Sequence, residues 1–333
     1  MIISRTPLRM SFAGGGSDLP EYYMNKPGSV VSTAINKYIY ITVNQKFDDL
    51  IRVSYSKTEL VESVDEIEHN IIREALKMVG IKRGIEVVYM GDLPLGSAGI
   101  GLGSSSSLAV GVLNALYAYT GRHVSGERLA REACDIEINI LNNPIGKQDQ
   151  YIAAYGGFQY IKFNGNESVF VDPIIFPEET KKMLNDKLLL FYTGTTRVSS
   201  SILKEQGQKT IQNMAYLDDI VTLSQKLLKR LQAGNLQGFG EMLHEGWMLK
   251  QNLAKGITNR EIDGYYEKAL NAGAVGGKLL GAGGGGFLLF YCEKEHQDNV
   301  RRSLSGLKET PFFFEPQGSK IIYVSDCDHS CSR

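Results

Sequence analysis

The stretch that most constrains this chain is Gly101-Leu102-Gly103-Ser104-Ser105-Ser106-Ser107, which runs straight into Leu108-Ala109-Val110-Gly111-Val112-Leu113-Asn114-Ala115-Leu116. The apolar spacing of the second segment predicts a helix, and the glycines before it let the backbone curl closely around a ligand. The first N–H groups of a helix lack partners within it and lie at the positive end of its dipole. With a run of serine hydroxyls beside them, they form a cradle for phosphate. No Gly-x-x-x-x-Gly-Lys-Ser/Thr occurs, so a P-loop architecture is not supported.

Any anion must be held by such a local device, because the chain has no global field to offer. Lys+Arg 36 against Asp+Glu 37 leaves a net charge of -1, which favours neither nucleic acid nor an anionic membrane as partner. The N-terminal Met1-Ile2-Ile3-Ser4-Arg5-Thr6-Pro7 lacks a signal-peptide pattern, and no apolar run approaches the ~20 residues of a membrane span, so a cytoplasmic protein is expected. Cys134, Cys292, Cys327 and Cys331 are few and scattered, which suits a reducing compartment. The tail Cys327-Asp328-His329-Ser330-Cys331 lacks a second ligand pair and is read as a tail motif rather than a metal site.

With 333 residues, 43% of them hydrophobic, the chain can bury a sizeable core and is expected to form two domains. Periodicity alternates in an α/β (α+β) manner. Strands are predicted over Val30–Val43, Ile51–Tyr55 and Ile85–Met90, and a helix over Glu59–Val79 stopping at Gly80. A helix from the serine run to Gly121 follows, then one capped by Ser125 and running to about Leu141. A charged, Pro-containing passage between Asp172 and Asp186 breaks the pattern, which divides the chain into domains 1–180 and 181–333. The second half is predicted as a strand over Lys187–Thr193, helices near 207–233, 236–254 and 260–272, a glycine-rich hairpin, a helix near 297–304 and a last strand over 320–325.

Three further stretches carry chemistry. The run Gly276-Gly277-Lys278-Leu279-Leu280-Gly281-Ala282-Gly283-Gly284-Gly285-Gly286 contains a literal Gly-x-Gly-x-x-Gly, but Phe287-Leu288-Leu289-Phe290-Tyr291 after it reads as a strand where a dinucleotide fold needs a helix. A backbone closing over phosphates fits the pair of glycine loops better than a bare hairpin. Near the N-terminus, Arg9-Met10-Ser11-Phe12-Ala13-Gly14-Gly15-Gly16-Ser17-Asp18 sets a cation and a carboxylate around a glycine turn, and Asp18 is an acceptor suited to sugar hydroxyls. Downstream, Leu129, Ala133, Ile136 and Ile140 form a helical stripe with Glu137 at its flank, roughly 70° from the centre at about 100° per residue. Glu137 is a candidate metal ligand, and Asp149, in the loop Asn143-Pro144-Ile145-Gly146-Lys147-Gln148-Asp149-Gln150, is a turn former or a functional carboxylate.

In this order, the stretches resemble the conserved segments of the GHMP kinase superfamily, from residue 5 to residue 291, and within it the sugar-1-kinase branch. The resemblance is carried by Arg9 to Asp18, Gly146-Lys147-Gln148-Asp149-Gln150-Tyr151 with Gly156-Gly157, and Thr193-Gly194-Thr195-Thr196-Arg197. It departs at the nucleotide loop, where six residues separate Pro94 from Gly101 and the family has three. The resemblance implies an N-terminal domain of the ribosomal-protein-S5 type, a C-terminal ferredoxin-like domain and an active site between them. It implies ATP and Mg²⁺, with Gly101, Gly103, Ser104, Ser105, Ser106, Gly283 and Gly284 around the ATP phosphates and Ser105 with Glu137 on the metal. Asp149 would accept or orient the attacking hydroxyl, with Arg9 or Lys147 supplying positive charge. Gly15, Gly16, Asp18, Gly281 and Arg197 would hold the acceptor, Arg197 at its phosphate. The expected reaction is transfer to the anomeric hydroxyl of D-glycero-D-manno-heptose 7-phosphate. Another sugar kinase of the superfamily, a non-catalytic sugar sensor and, more remotely, a dehydrogenase are the competing readings. The oligomeric state is left open, a homo-oligomer being compatible with the sequence.

Overall fold

The computed structural model describes residues 1–93, 101–194 and 199–325. Strand β1 (Ile2–Ala13) leads through the short helix α1 (Pro20–Tyr23) into β2 (Gly28–Gln45), then β3 (Ile51–Ser54), β4 (Thr58–Val61), α2 (Asn70–Val79) and β5 (Ile85–Gly91). Helix α3 (Ser104–Tyr119) is followed by α4 (Gly126–Cys134) with a π-helical continuation over Asp135–Ile140, by α5 (Gln148–Tyr155), and by the hairpin β6 (Phe158–Phe163) and β7 (Val169–Pro173). The remaining chain forms α6 (Glu178–Asp186), β8 (Leu188–Tyr192), α7 (Ser199–Gln208), α8 (Met214–Gln232), α9 (Phe239–Gln251) and α10 (Arg260–Asn271). Strands β9 (Ala274–Leu279) and β10 (Phe287–Cys292), helix α11 (Gln297–Ser303), β11 (Lys308–Glu309) and β12 (Lys320–Val324) close it.

The strands form an eight-stranded sheet with the path β12-β1-β2-β5-β3-β4, to which β6 and β7 attach beside β2, and a four-stranded sheet β11-β8-β10-β9. In the smaller sheet the two-residue period of a strand separates two cores. Leu188, Leu190, Phe287, Leu289 and Tyr291 join the core shared with the large sheet, while Leu189, Phe191, Leu288, Phe290 and Cys292 pack with Trp247, Ile262 and Tyr266. Because both faces are covered, β10 is buried along its whole length, and its sequence is apolar without alternation.

The helix expected near 207–233 is two, α7 and α8, and two further elements depart from expectation. The helix predicted over 59–79 begins only at Asn70, because Thr58–Val61 pairs with β3. Glu59 is buried there and its carboxylate accepts the main-chain N–H groups of Glu68 and His69, at 2.6 and 3.2 Å, which turns the chain back before the helix starts. Gly80 does cap that helix, in the left-handed region at φ 87. The last strand, expected within the second half, instead pairs antiparallel with β1 and so completes the first sheet. No helix of the described residues is long and apolar enough to cross a membrane.

Candidate active site

Helix α3 opens on Gly103, which sits in the left-handed region at φ 73 and, having no side chain, provides no cap. The first N–H groups of the helix are therefore left for a ligand. Ser104, Ser105 and Ser106 line one cavity together with Arg9, Gly101, Gly103, Glu137, Asp149, Gly281, Gly283 and Gly285. The two glycine loops meet backbone to backbone: a Cβ on Gly281 would lie 2.4 Å from the Gly101 Cα, and one on Gly101 would lie 2.6 Å from the Leu280 carbonyl oxygen. Both positions have positive φ as well, so glycine is required on both sides of the contact. Gly284 is turned to another task, its N–H donating to the Ile257 carbonyl at 2.9 Å, and it does not line the cavity.

Asp149 lies not in a loop, as expected, but in the first turn of α5. Arg9, projecting from β1, clamps it with two hydrogen bonds, Nε to Oδ1 at 2.6 Å and Nη2 to Oδ2 at 2.7 Å, while Nη1 donates to the Gly101 carbonyl at 2.8 Å. This bidentate pairing fixes the carboxylate in the plane of the guanidinium and ties it to the first glycine loop. Gly103 keeps close to the same pair, since a Cβ there would meet Arg9 Cγ at 3.0 Å and Asp149 Oδ2 at 3.3 Å.

Glu137 is fully buried rather than at a helix flank. It follows Ala130, Ala133 and Cys134, all buried, at α-helical spacing, whereas the π-helical turn closed by the Leu141 N–H to the Ile136 carbonyl at 2.9 Å shifts the phase beyond it and leaves Ile140, expected in the buried stripe, exposed. Burial pushes the Glu137 carboxyl above its ordinary range, while hydrogen bonds from Ser105, Ser106 and Gln150 oppose the shift. Ser105 Oγ donates to Oε1 at 2.5 Å and Gln150 Nε2 to Oε2 at 2.7 Å.

An adjoining cavity shares Arg9, Asp149, Gly281 and Ala282 with the first and is lined in addition by Ser11, Gly14, Gly15, Gly16, Asp18, Gln148, Gln206, Lys250 and Lys278. Asp18 is buried and accepts from the Gly16 N–H at 2.9 Å and from Gln148 Nε2 at 2.9 Å. Burial, reinforced by the charge of Asp149, raises its carboxyl above the ordinary carboxylate range. Gly146 makes room for it, because a Cβ there would fall 2.0 Å from Asp18 Oδ2. Gly14, at φ 97, is held by a similar demand, 2.0 Å from the Ser29 carbonyl oxygen.

Lys147 is not brought to this place. Its ammonium pairs with Glu167 and lies over the Tyr23 ring, 4.8 Å from the centroid, in a separate surface cavity. Arg9 alone of the two expected cations meets Asp149. Arg197 and the 94–100 segment of the long loop lie outside the described residues. The sequence reading missed Ser11, Gln148, Lys250 and Lys278. The first two lie within stretches already singled out, and Lys278 stands inside the second glycine run, but nothing in the pattern around Lys250 marks it.

Two glycine loops and a helix N-terminus on one side, and an arginine-clamped carboxylate between them and a polar pocket, define a kinase. Residues 69–157 match the GHMP kinases N terminal domain and residues 226–308 the GHMP kinases C terminal domain; the chain belongs to this family. It is 29% identical over 321 residues to a D-glycero-alpha-D-manno-heptose 7-phosphate kinase of Campylobacter jejuni, covering 91% of this chain and 93% of that protein. It is 25% identical to a galactokinase of Pyrococcus furiosus, over 90% of this chain and 91% of the other. A crystal structure described as a D-glycero-D-manno-heptose 1-phosphate kinase from Bacteroides thetaiotaomicron superposes with a TM-score of 0.79 at 26% identity, covering 98% of this chain and all of that one.

Proposed function

We propose that this protein transfers the γ-phosphoryl group of ATP to the anomeric hydroxyl of D-glycero-D-manno-heptose 7-phosphate, giving the 1,7-bisphosphate for nucleotide-activated heptose synthesis. The observation that carries this reading is the position of the Arg9–Asp149 pair, on the wall common to the cavity of the serine run and the cavity of Asp18. The relative from Campylobacter jejuni supplies the acceptor by its name.

In this reading the uncapped N-terminus of α3 and the glycines of both loops hold the ATP phosphates, and Asp18 with Gln148 orients the sugar hydroxyls. Asp149 accepts the hydrogen of the attacking hydroxyl on a carboxylate lone pair that its two bonds to Arg9 leave open. The hydroxyl oxygen forms the new bond to the γ-phosphorus, the bond to the bridging oxygen breaks, and ADP leaves. Arg9 stabilises the charge that spreads over the phosphoryl oxygens, so that positioning and neutralisation suffice without a covalent enzyme intermediate. Ser105 and Glu137 fit Mg²⁺: both present oxygen donors, 2.5 Å apart, and both line the cavity of the phosphate loops. When bound, the ion would neutralise phosphate charge. The division into domains 1–180 and 181–333, with β12 returning to the sheet of the first, and a cytoplasmic location belong to the same proposal.

The test is a coupled ADP-release assay over heptoses and hexoses with and without a phosphate, followed by phosphorus NMR of the product. A new anomeric phosphate on the 7-phosphorylated heptose supports the reading. Preference for the heptose 1-phosphate, as the name of the Bacteroides structure would have it, or for galactose or fucose would replace it.

A further inference from the structure

Two lysines reach the floor of the acceptor pocket from different elements, Lys250 from the last turn of α9 and Lys278 from β9. Their ammonium groups bond only main-chain oxygens among the described residues. Lys278 Nζ donates to the Phe12 carbonyl at 3.1 Å, and Lys250 Nζ to the carbonyls of Leu279, at 3.2 Å, and Gly281. No carboxylate pairs with either within the described residues, and an ammonium carries three protons, so donors remain on both. Burying cations without a counter-charge is unfavourable. Burial and the Arg9 charge accordingly push Lys278 down to about 7, and burial, Lys278 and Arg9 hold Lys250 well below the usual lysine range against the opposing charge of Asp18.

The carboxylates that face the same pocket are already engaged, Asp149 by Arg9 and Asp18 by the Gly16 N–H and Gln148. Three basic groups, Arg9, Lys250 and Lys278, therefore confront two occupied carboxylates. A third polar group stands beside them: Ser11 lines this cavity, is 8% exposed as a residue, and its buried Oγ has no hydrogen-bond partner among the described residues. Neither lysine lines the cavity of Ser104 to Ser106, so the pair belongs to the acceptor side.

We propose that Lys250, Lys278 and Ser11 form a phosphate-binding subsite in the acceptor pocket, so that the acceptor carries a phosphate monoester besides the hydroxyl presented to Asp149. This rests on the kinase reading above and moves the acceptor's phosphate from Arg197 to the pocket floor. An anionic ligand supplies the missing counter-charge, and each ammonium can give it a charge-assisted hydrogen bond without releasing its main-chain carbonyl.

The test uses the full-length chain with Lys250→Met and, separately, Lys278→Met, each unbranched and apolar. Folding is checked by the thermal shift with a non-hydrolysable ATP analogue. With D-glycero-D-manno-heptose 7-phosphate the KM should rise by about tenfold or more in each variant. With the unphosphorylated heptose, and for ATP, it should stay within about twofold of the wild type. Equal losses on both heptoses overturn the subsite, and a loss confined to the ATP KM assigns the lysines to the nucleotide's phosphates and overturns it too. Lys250→Met carries the test by itself if Lys278→Met does not fold. If wild-type protein turns over neither heptose, the acceptor reading fails independently. The subsite is then tested by calorimetric titration of inorganic phosphate, where binding lost in Lys250→Met supports it and unchanged binding or none at all sinks it.

Discussion

The two cavities that meet at Asp149 are built from different materials. The cavity proposed for the nucleotide is framed by a helix N-terminus lacking a side-chain cap and by two glycine loops packed so closely that a Cβ on Gly281 would lie 2.4 Å from Gly101. The cavity proposed for the acceptor adds to the glycine turn Gly14 to Gly16 charged and polar side chains from distant parts of the chain: Asp18, Gln148, Lys250 and Lys278. A backbone site binds a group common to many kinases, whereas a side-chain site can be altered one residue at a time to suit one acceptor. The nucleotide side should therefore break when glycine is replaced, and the acceptor side when charge is replaced.

The sharpest way to separate the two sides is the residue between them. Asp149→Asn keeps its size and removes its charge and its capacity as a base, so turnover should fall by ~100-fold or more, the scale of a positioned acid–base group, while nucleotide binding changes little. Near-normal kcat with the best acceptor would remove Asp149 from the chemistry. The next effect in size is Gly103→Val. The new side chain would be strained at φ 73 and would press on Arg9 Cγ, 3.0 Å from the Cβ position, so it should disturb both cavities. A rise of about tenfold in the ATP KM together with a lower kcat is expected from the crowded phosphate approach. An ATP effect alone would show that the clamp is independent of the loop.

Glu137→Gln should cost less, on the order of tenfold at low Mg²⁺, and excess Mg²⁺ should restore part of it, since a ligand is weakened and Asp149 is untouched. The variant should fold, because Gln150 Oε1 has no partner among the described residues and can turn to accept from the new amide. A defect indifferent to Mg²⁺ would make Glu137 a structural anchor of Ser105. The smallest effect is expected for Lys147→Ala. Its ammonium is engaged with Glu167 and Tyr23, so kcat and both KM values should stay within about twofold, the pair being a surface one. A large loss of kcat would return Lys147 to the reacting centre and dissolve the contrast between an Arg9 clamp and a remote lysine.

The glycine–serine loop, the second glycine run, Arg9 and Asp18 were legible because each is a local device: a backbone conformation or a short polar motif announces itself within about ten residues. Glu137 was legible as a carboxylate but misplaced. It belongs to the face of Ala130, Ala133 and Cys134, and the stripe read from the sequence was drawn off that face by Ile140, which the π-turn beyond Glu137 leaves exposed. Lys147 and Arg9 both looked like cations for Asp149, one by adjacency in sequence and the other across 140 residues. Folding chose the distant one, because the first turn of α5 carries Asp149 toward β1 while Lys147 swings to Glu167.

By itself the sequence determined where backbone must approach backbone or phosphate, since only glycine can occupy those positions, and which strand would be buried on both faces, since apolar runs without alternation have no exposed side. Tertiary structure alone decided which charges would share a pocket. Lys250 and Lys278 lie on a helix and a strand, and only the packing of that helix against β9, with β1 closing the floor through the Phe12 carbonyl, brings them to the cavity that Asp18 also lines. Charge is a long-range property, and its partners are set by the fold rather than by the neighbours along the chain.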